Sequence, residues 1–235
     1  MPLMNAAKVK EDKEYQNTPE GRYVANCYQV IDLGTQAKKT MDGIKPTQQI
    51  LFGFEMFGLD ANGDPTLVMA DGRPYYGRTI LTLSLHAKSK LRPFLGAWRG
   101  KPVKDEEVPG AAELIKSFLT QTAEIVVSHR PYKDNNGNDR VAEEFSSISP
   151  AHPKTTRPRM VNDPIFFDIG NWDGAAFDKL PQWIKTKIEQ SAEFKEKDSF
   201  TSNLLPPQAS TAGMRPSNRN YPPLPDDFED DLPPF

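Results

Sequence analysis

The last ten residues carry the most specific chemistry in this 235-residue chain: Asp226, Asp227, Phe228, Glu229, Asp230, Asp231, Leu232, Pro233, Pro234 and Phe235. Phe235 offers an aromatic ring and a terminal carboxylate on one residue, so a pocket with an apolar floor and a basic rim can hold both. Pro233 and Pro234 stiffen the approach and lower the entropy lost on docking. The acids steer the peptide toward basic surfaces. Solubility alone would account for the acids but not for the Leu-Pro-Pro-Phe ending, so residues 226–235 are expected to be a partner-binding tail.

A second pattern is basic. From His86 to Lys104 the chain has six Lys or Arg and no acid. Cations at that density can line a groove for a phosphate backbone, and rings beside them can stack on bases without choosing a sequence. The plain alternative is a solvated helix face. Within this stretch Lys88, Lys90, Arg92, Arg99 and Lys101 are the expected phosphate contacts, while Phe94 and Trp98 are expected in the core. Tyr28, Tyr75, Tyr76 and Tyr132 are the candidate stacking residues, with Arg22, Arg78, Arg130 and Lys133 alongside. A tyrosine near a strand end can instead close a core. Lys154, Arg157 and Arg159 form a third basic group whose role spacing does not specify.

Asp230, Asp231, Leu232, Pro233 or Pro234, and Phe235 resemble the tail of bacterial single-stranded DNA-binding proteins, where clustered Asp precedes an aliphatic residue, proline and a final phenylalanine. One extra proline is a departure. The stretch from Pro19-Glu20-Gly21 to Val30-Ile31-Asp32-Leu33-Gly34-Thr35-Gln36, with Leu83-Ser84-Leu85-His86 and Ala97-Trp98-Arg99-Gly100-Lys101, is similar to early-region proteins of tailed phages assigned to single-stranded DNA binding. The resemblance implies an OB-fold that coats and protects single-stranded DNA in phage replication, recombination or repair, in the cytoplasm of a bacterial host. It also implies a tail that recruits a polymerase, helicase, primase or recombinase, with self-association left open.

Other chemistries lack their residues. There is no phosphate-binding Gly-rich loop with Lys and Ser/Thr, no GxSxG and no HExxH, so no enzymatic activity and no cofactor are expected. Cys27 is the one cysteine and His86, His129 and His152 are the histidines, which gives no zinc-ligand spacing. Asp60-Ala61-Asn62-Gly63-Asp64 lacks the remaining ligands of a calcium loop and reads as a turn. Asp163, Asp168 and Asp173 could be imagined as nuclease metal ligands, but loop capping explains them more simply.

Net charge is −3, yet five acids lie in the tail, leaving 29 basic against 27 acidic residues in the rest. The body is therefore not acidic. The first residues lack an apolar signal-peptide stretch and no run reaches membrane-spanning length, so a cytoplasmic protein without a membrane partner is expected.

The elements that must position these groups follow from periodicity. Residues 1–18 read as a flexible arm. Residues 22–33, rich in Tyr and Val, predict a first strand ended by a breaker region over 34–46. Residues 49–57 alternate, with Ile50, Phe52, Phe54 and Met56 toward the core. Residues 75–86 alternate again, with Leu81, Leu83 and Leu85 opposite Tyr76 and Arg78. Helical patterns cover 89–98 and 111–120, and strands over 123–130 and 140–149 flank the Asp134-Asn135-Asn136-Gly137 turn. A helix through Phe177, Leu180, Trp183, Ile184 and Ile188 closes the body. Three strands, a helical insertion and a hairpin predict a mainly β, five-stranded OB-fold barrel over 19–198. A disordered Pro-rich linker over 199–225 follows, and residues 198–225 give a tether with a coil span of ~30 Å. The rival reading is a replisome adaptor that binds partners through the tail without binding DNA; a metal-dependent nuclease using Asp163 or Asp168 is a third.

Overall fold

The computed structural model describes residues 18–40, 43–66, 69, 71–133 and 137–197. The expected N-terminal arm as far as residue 17, the turn at 134–136, the linker and the tail lie outside them. The strands are β1 (Gly21–Thr40), β2 (Gly43–Leu59), β3 (Pro65–Thr66), β4 (Tyr75–Thr82), β5 (Thr122–Lys133), β6 (Asp139–Pro150) and β7 (Ile165–Phe167). The α-helices are α1 (Leu91–Arg99), α2 (Ala111–Lys116), α3 (Gly174–Lys179) and α4 (Gln182–Glu189), with a 3-10 turn at Asp105–Gly110 before α2.

The fold is mainly β, an open seven-stranded sheet. Its long strands run in the order β4-β2-β1-β5-β6, all antiparallel. β3 extends the edge of β2 that β4 also uses. β7 lies parallel to β1 at Gln29–Ile31, on the same edge that β5 holds at Gly21–Asn26. Of the expected five-stranded OB-fold barrel the mainly β character is met, but the sheet has seven strands, and among the described residues no ladder joins β4 to β6. Side chains fill that seam. Gly77 of β4 has no Cβ, and one would fall 2.6 Å from Met56 Sδ and 2.9 Å from Phe145 Cζ of β6. Apolar packing therefore holds the two strands where backbone bonds would close a barrel.

The sheet is buried on both faces. On the inner face Ile50, Phe52, Phe54 and Met56 pack with Leu91, Phe94, Leu95 and Trp98 of α1, and with Ile125, Val127 and Phe145. Phe94 and Trp98 are 1% and 2% exposed, so both are core residues. On the outer face Ile31, Leu33 and Leu51 pack with Phe167, Leu180, Ile184 and Ile188. Each fully buried apolar side chain contributes about 1.5–3 kcal/mol, so both layers are needed to hold the sheet.

Four expected boundaries move, the first being the strand expected over 75–86, which ends at Thr82. The region read as a breaker continues as strand, because Gly34 takes a left-handed φ of 69° at a bulge and the β1–β2 ladder runs on to Thr40↔Gly43. The single terminal helix is two, since Pro181 forces Leu180 into an extended conformation (ψ 144°). The helix from Ala111 stops at Lys116, and Thr120 adopts φ 69° where the chain turns into β5.

Candidate nucleic-acid interface

A bulge in β1 builds the centre of the outer face. Cys27 pairs with Phe54 and Gln29 with Gly53, so Tyr28 is the extra residue. Its half-buried ring meets Tyr76 of β4 edge to face, with centroids 6.1 Å apart. Burial first, then the neighbouring Tyr76, Glu55 and Cys27, hold the Tyr28 hydroxyl above the usual tyrosine range, so it stays protonated and neutral. Tyr76 Oη donates to Gln29 Oε1 at 3.3 Å. Gln29 itself is buried, and it reaches this position over Gly53, where an added Cβ would lie 2.6 Å from the same oxygen. Beside Tyr76 on this face, the Arg78 guanidinium sits 4.6 Å over the Trp183 ring of α4.

Register divides this face into rows. The row Asn26–Glu55–Tyr76 is crossed by the segment after β6. Asn26 Nδ2 donates to Pro158 O at 2.9 Å. Glu55, 1% exposed, accepts from the backbone N–H of Val161 at 2.9 Å, from the backbone N–H of Asn162, and from Asn162 Nδ2 at 2.5 Å. Residues 151–164 are thus a strap clipped to the sheet by one buried carboxylate. The row Ile31–Leu51–Ile80 lies under α3 and α4. Between them lies the row Gln29–Gly53–Arg78, where the sheet surface is polar.

The sequence-derived candidates separate into two sides. Strand alternation places Arg22, Arg130 and Tyr132 on the outer face with Tyr28, Tyr76 and Arg78. Arg22 is 3.7 Å from Glu124 and Arg130 is paired with Glu144. Lys133, near the β5–β6 turn, pairs with Asp139 at 2.8 Å. The basic stretch flanks α1, on the opposite side of the sheet.

Several candidates are structural. Tyr75 is 8% exposed and packs edge-on against Tyr23, 6.0 Å away, so its ring is in the core and not free to stack on a base. Arg92 donates from Nε and Nη2 to Val103 O and from Nη2 to Asp105 at 2.6 Å, tying α1 to the following loop. Arg99 holds Glu107 with two bonds of 2.7 and 2.6 Å and also reaches Pro102 O. That bonding drops the Glu107 carboxyl to about 2. Lys90 has its ammonium nitrogen buried without a hydrogen-bond partner among the described residues. Lys88 and Lys101 are exposed. So are Lys154, Arg157 and Arg159 of the strap, whose side chains make no ion pair among the described residues.

The imagined metal ligands are occupied otherwise. Asp168 Oδ1 accepts from Gly170 N, Asp173 caps α3 by accepting from Ala175 N and Ala176 N, and Asp60 Oδ1 accepts from Asn62 N and Asp64 N. Asp163 is exposed. Among the described residues no three His, Cys, Asp or Glu side chains are grouped to hold a metal, and no helix is long and apolar enough to cross a membrane.

Sequence reasoning missed Trp183, Gln29 and the Glu55 clip. Trp183 was read as part of a continuous apolar helix face; the Leu-Pro pair at 180–181, which rotates α4 relative to α3, was the available signal. Gln29 and Glu55 stand at alternation positions that carry no signal of their own until the strands are paired. No family model and no curated protein matches this chain.

Proposed function

We propose that this chain binds single-stranded DNA on the outer face of its sheet and uses residues 226–235 to recruit a replication or recombination protein. The observation that carries the reading is the grouping of Arg22, Tyr28, Tyr76, Arg78, Arg130 and Tyr132 on one face, crossed by a strap bearing Lys154, Arg157 and Arg159, which make no ion pair among the described residues. Rings that can stack and cations that can meet phosphates are what sequence-tolerant single-strand binding requires. The strand order β4-β2-β1-β5-β6, with helices between β4 and β5, supports an OB-fold, whose partly open form commonly takes an oligonucleotide across one face. Preferential binding of the unpaired form would coat the strand and melt hairpins.

The second reading, a tail-presenting adaptor that binds no DNA, is favoured by one observation: Arg22, Arg130 and Lys133 already face Glu124, Glu144 and Asp139. Fluorescence anisotropy of labelled oligo-dT across a salt series separates the two, run beside a matched duplex and beside protein lacking 226–235. Single-strand-selective binding at micromolar or lower concentration that weakens with salt supports the first reading. Absence of binding by both proteins refutes it in favour of the adaptor.

A further inference from the structure

We infer that Trp183 is a nucleobase-stacking residue, held for that purpose against Arg78; the inference rests on the single-strand reading above. The helix that carries Trp183 does not need its ring for anchorage. Ile184 and Ile188 of α4 are 0% exposed and fix the helix on Ile31, Leu33 and Leu51, whereas Trp183 is only half-buried at the margin of that cluster. Its indole N–H has no acceptor among the described residues. A half-buried tryptophan with no protein acceptor for its N–H keeps part of an amphipathic ring available to a ligand.

Its location gives the ligand class. Trp183 borders the polar row Gln29–Gly53–Arg78, in which Gln29 and Gly53 are buried and the half-buried Arg78, with Tyr76 beside it, remains partly accessible. Arg78 lies 4.6 Å over the indole. A guanidinium over an aromatic ring adds a flat cationic surface to it, and a phosphate oxygen can accept from guanidinium N–H groups. One flat ring stacking beside one phosphate is the repeating unit of a nucleic-acid strand with its bases unpaired, and a duplex cannot offer it. The Tyr28–Tyr76 pair lies beyond Arg78 on the same face, so successive bases would meet indole, guanidinium and phenol along one line.

The test uses the full chain and its own tryptophans. Trp98 is 2% exposed in the inner core, and Trp172, half-buried as Trp183 is, packs against Phe167, Phe177 and Phe194 under Lys197, so Trp172→Phe is included to isolate the Trp183 signal. Intrinsic fluorescence is titrated with oligo-dT and with an abasic phosphodiester strand of equal length, for wild type, Trp172→Phe, Trp183→Phe and Trp183→Leu. Anisotropy of a labelled oligo-dT is read in parallel. Expected are quenching by oligo-dT but not by the abasic strand, in wild type and Trp172→Phe only, and binding by Trp183→Leu weaker by roughly 5- to 150-fold, the range for loss of one stacking ring. Trp183→Phe keeps a ring and should recover most of the affinity, which separates stacking from a folding defect. If anisotropy shows tight binding while quenching survives in Trp183→Phe, or Trp183→Leu binds as wild type does, the assignment of Trp183 is overturned and the single-strand reading stands. If no protein binds oligo-dT by anisotropy, both fall.

Discussion

Replacing Glu55 by Gln should loosen the strap more than any surface change of equal size. The Glu55 carboxylate accepts three hydrogen bonds, two from backbone N–H groups of Val161 and Asn162 and one from Asn162 Nδ2. Bonds to a charged acceptor contribute about 1.5–3 kcal/mol each. Glutamine can keep its oxygen toward Asn162, but its NH2 then faces the Val161 N–H, donor against donor. Removing a buried charge returns part of the loss by relieving desolvation, which leaves a net cost of about 2 kcal/mol on these terms. The effect is local, so amide hydrogen exchange over residues 158–164 is the assay, with urea unfolding alongside. A 2 kcal/mol loss corresponds to roughly 30-fold faster exchange at Val161 and Asn162, with strand amides such as those of Phe52 and Phe54 changing much less. Unchanged exchange at Val161 and Asn162 in the variant would refute the clip.

Three further outcomes follow from the same geometry. Burial, with Asp168 and Glu193 nearby, outweighs hydrogen bonds from Gly34 and Gln48 and pushes the Asp32 carboxyl from 3.8 up to about 6. The folded state therefore holds a proton that the unfolded chain has already released: Asp32 contributes most below pH ~4, stability falls as pH rises through 4 to 6, and it is level above. Asp32→Asn should remove that slope and stabilise at pH 7 by about 1–2 kcal/mol, read from urea midpoints at pH 4.5 and 7; equal wild-type and variant slopes would contradict it. Arg99→Ala should lower the urea midpoint and leave oligo-dT affinity unchanged, because its guanidinium is committed to Glu107 and Pro102; a fall in affinity with unchanged stability would return Arg99 to the interface. Replacing Lys154, Arg157 and Arg159 together by Ala should reduce the salt slope of oligo-dT binding by about 2, since each phosphate contact on a single strand contributes about 0.7. An unchanged slope would place the phosphates elsewhere.

The parts of the fold legible in the sequence are those where periodicity decides burial. The alternation through Ile50, Phe52, Phe54 and Met56 marks the inner face of β2 correctly, and the hairpin of β5 and β6 follows from its turn residues. The outer-face core was not legible, because Leu51 and Phe57 sit at positions that alternation assigns to solvent, and only pairing with the late segment buries them. β7 is three residues long and exists because β1 offers a vacant edge beyond β5. Among the candidate residues, alternation put Tyr76 and Arg78 on the face of β4 opposite the buried Leu81. It could not show that Arg92 and Arg99 find acceptors in the loop only a few residues downstream, since a charge run looks the same whether its cations face solvent or staple a turn.

That distinction between committed and uncommitted cations bears on how the proposed single-strand binding would work on a nearly neutral body. On the strands, Arg22 and Arg130 are opposed by Glu124 and Glu144, so the sheet itself supplies rings and shape more than net charge. The strap supplies the charge. Its Lys154, Arg157 and Arg159 have no carboxylate partner among the described residues, and the irregular segment that carries them is held at four places, His152 N–H on Glu124, Thr156 Oγ1 on Asp64, Pro158 O on Asn26, and Val161 and Asn162 on Glu55. None of these contacts uses the side chain of Lys154, Arg157 or Arg159. A buried acid in the middle of a proposed anion-binding face looks contradictory only until its partners are counted: Glu55 spends its lone pairs on the strap's own N–H groups, and the segment it fixes brings three positive charges to the face in exchange for one negative charge that is 1% exposed.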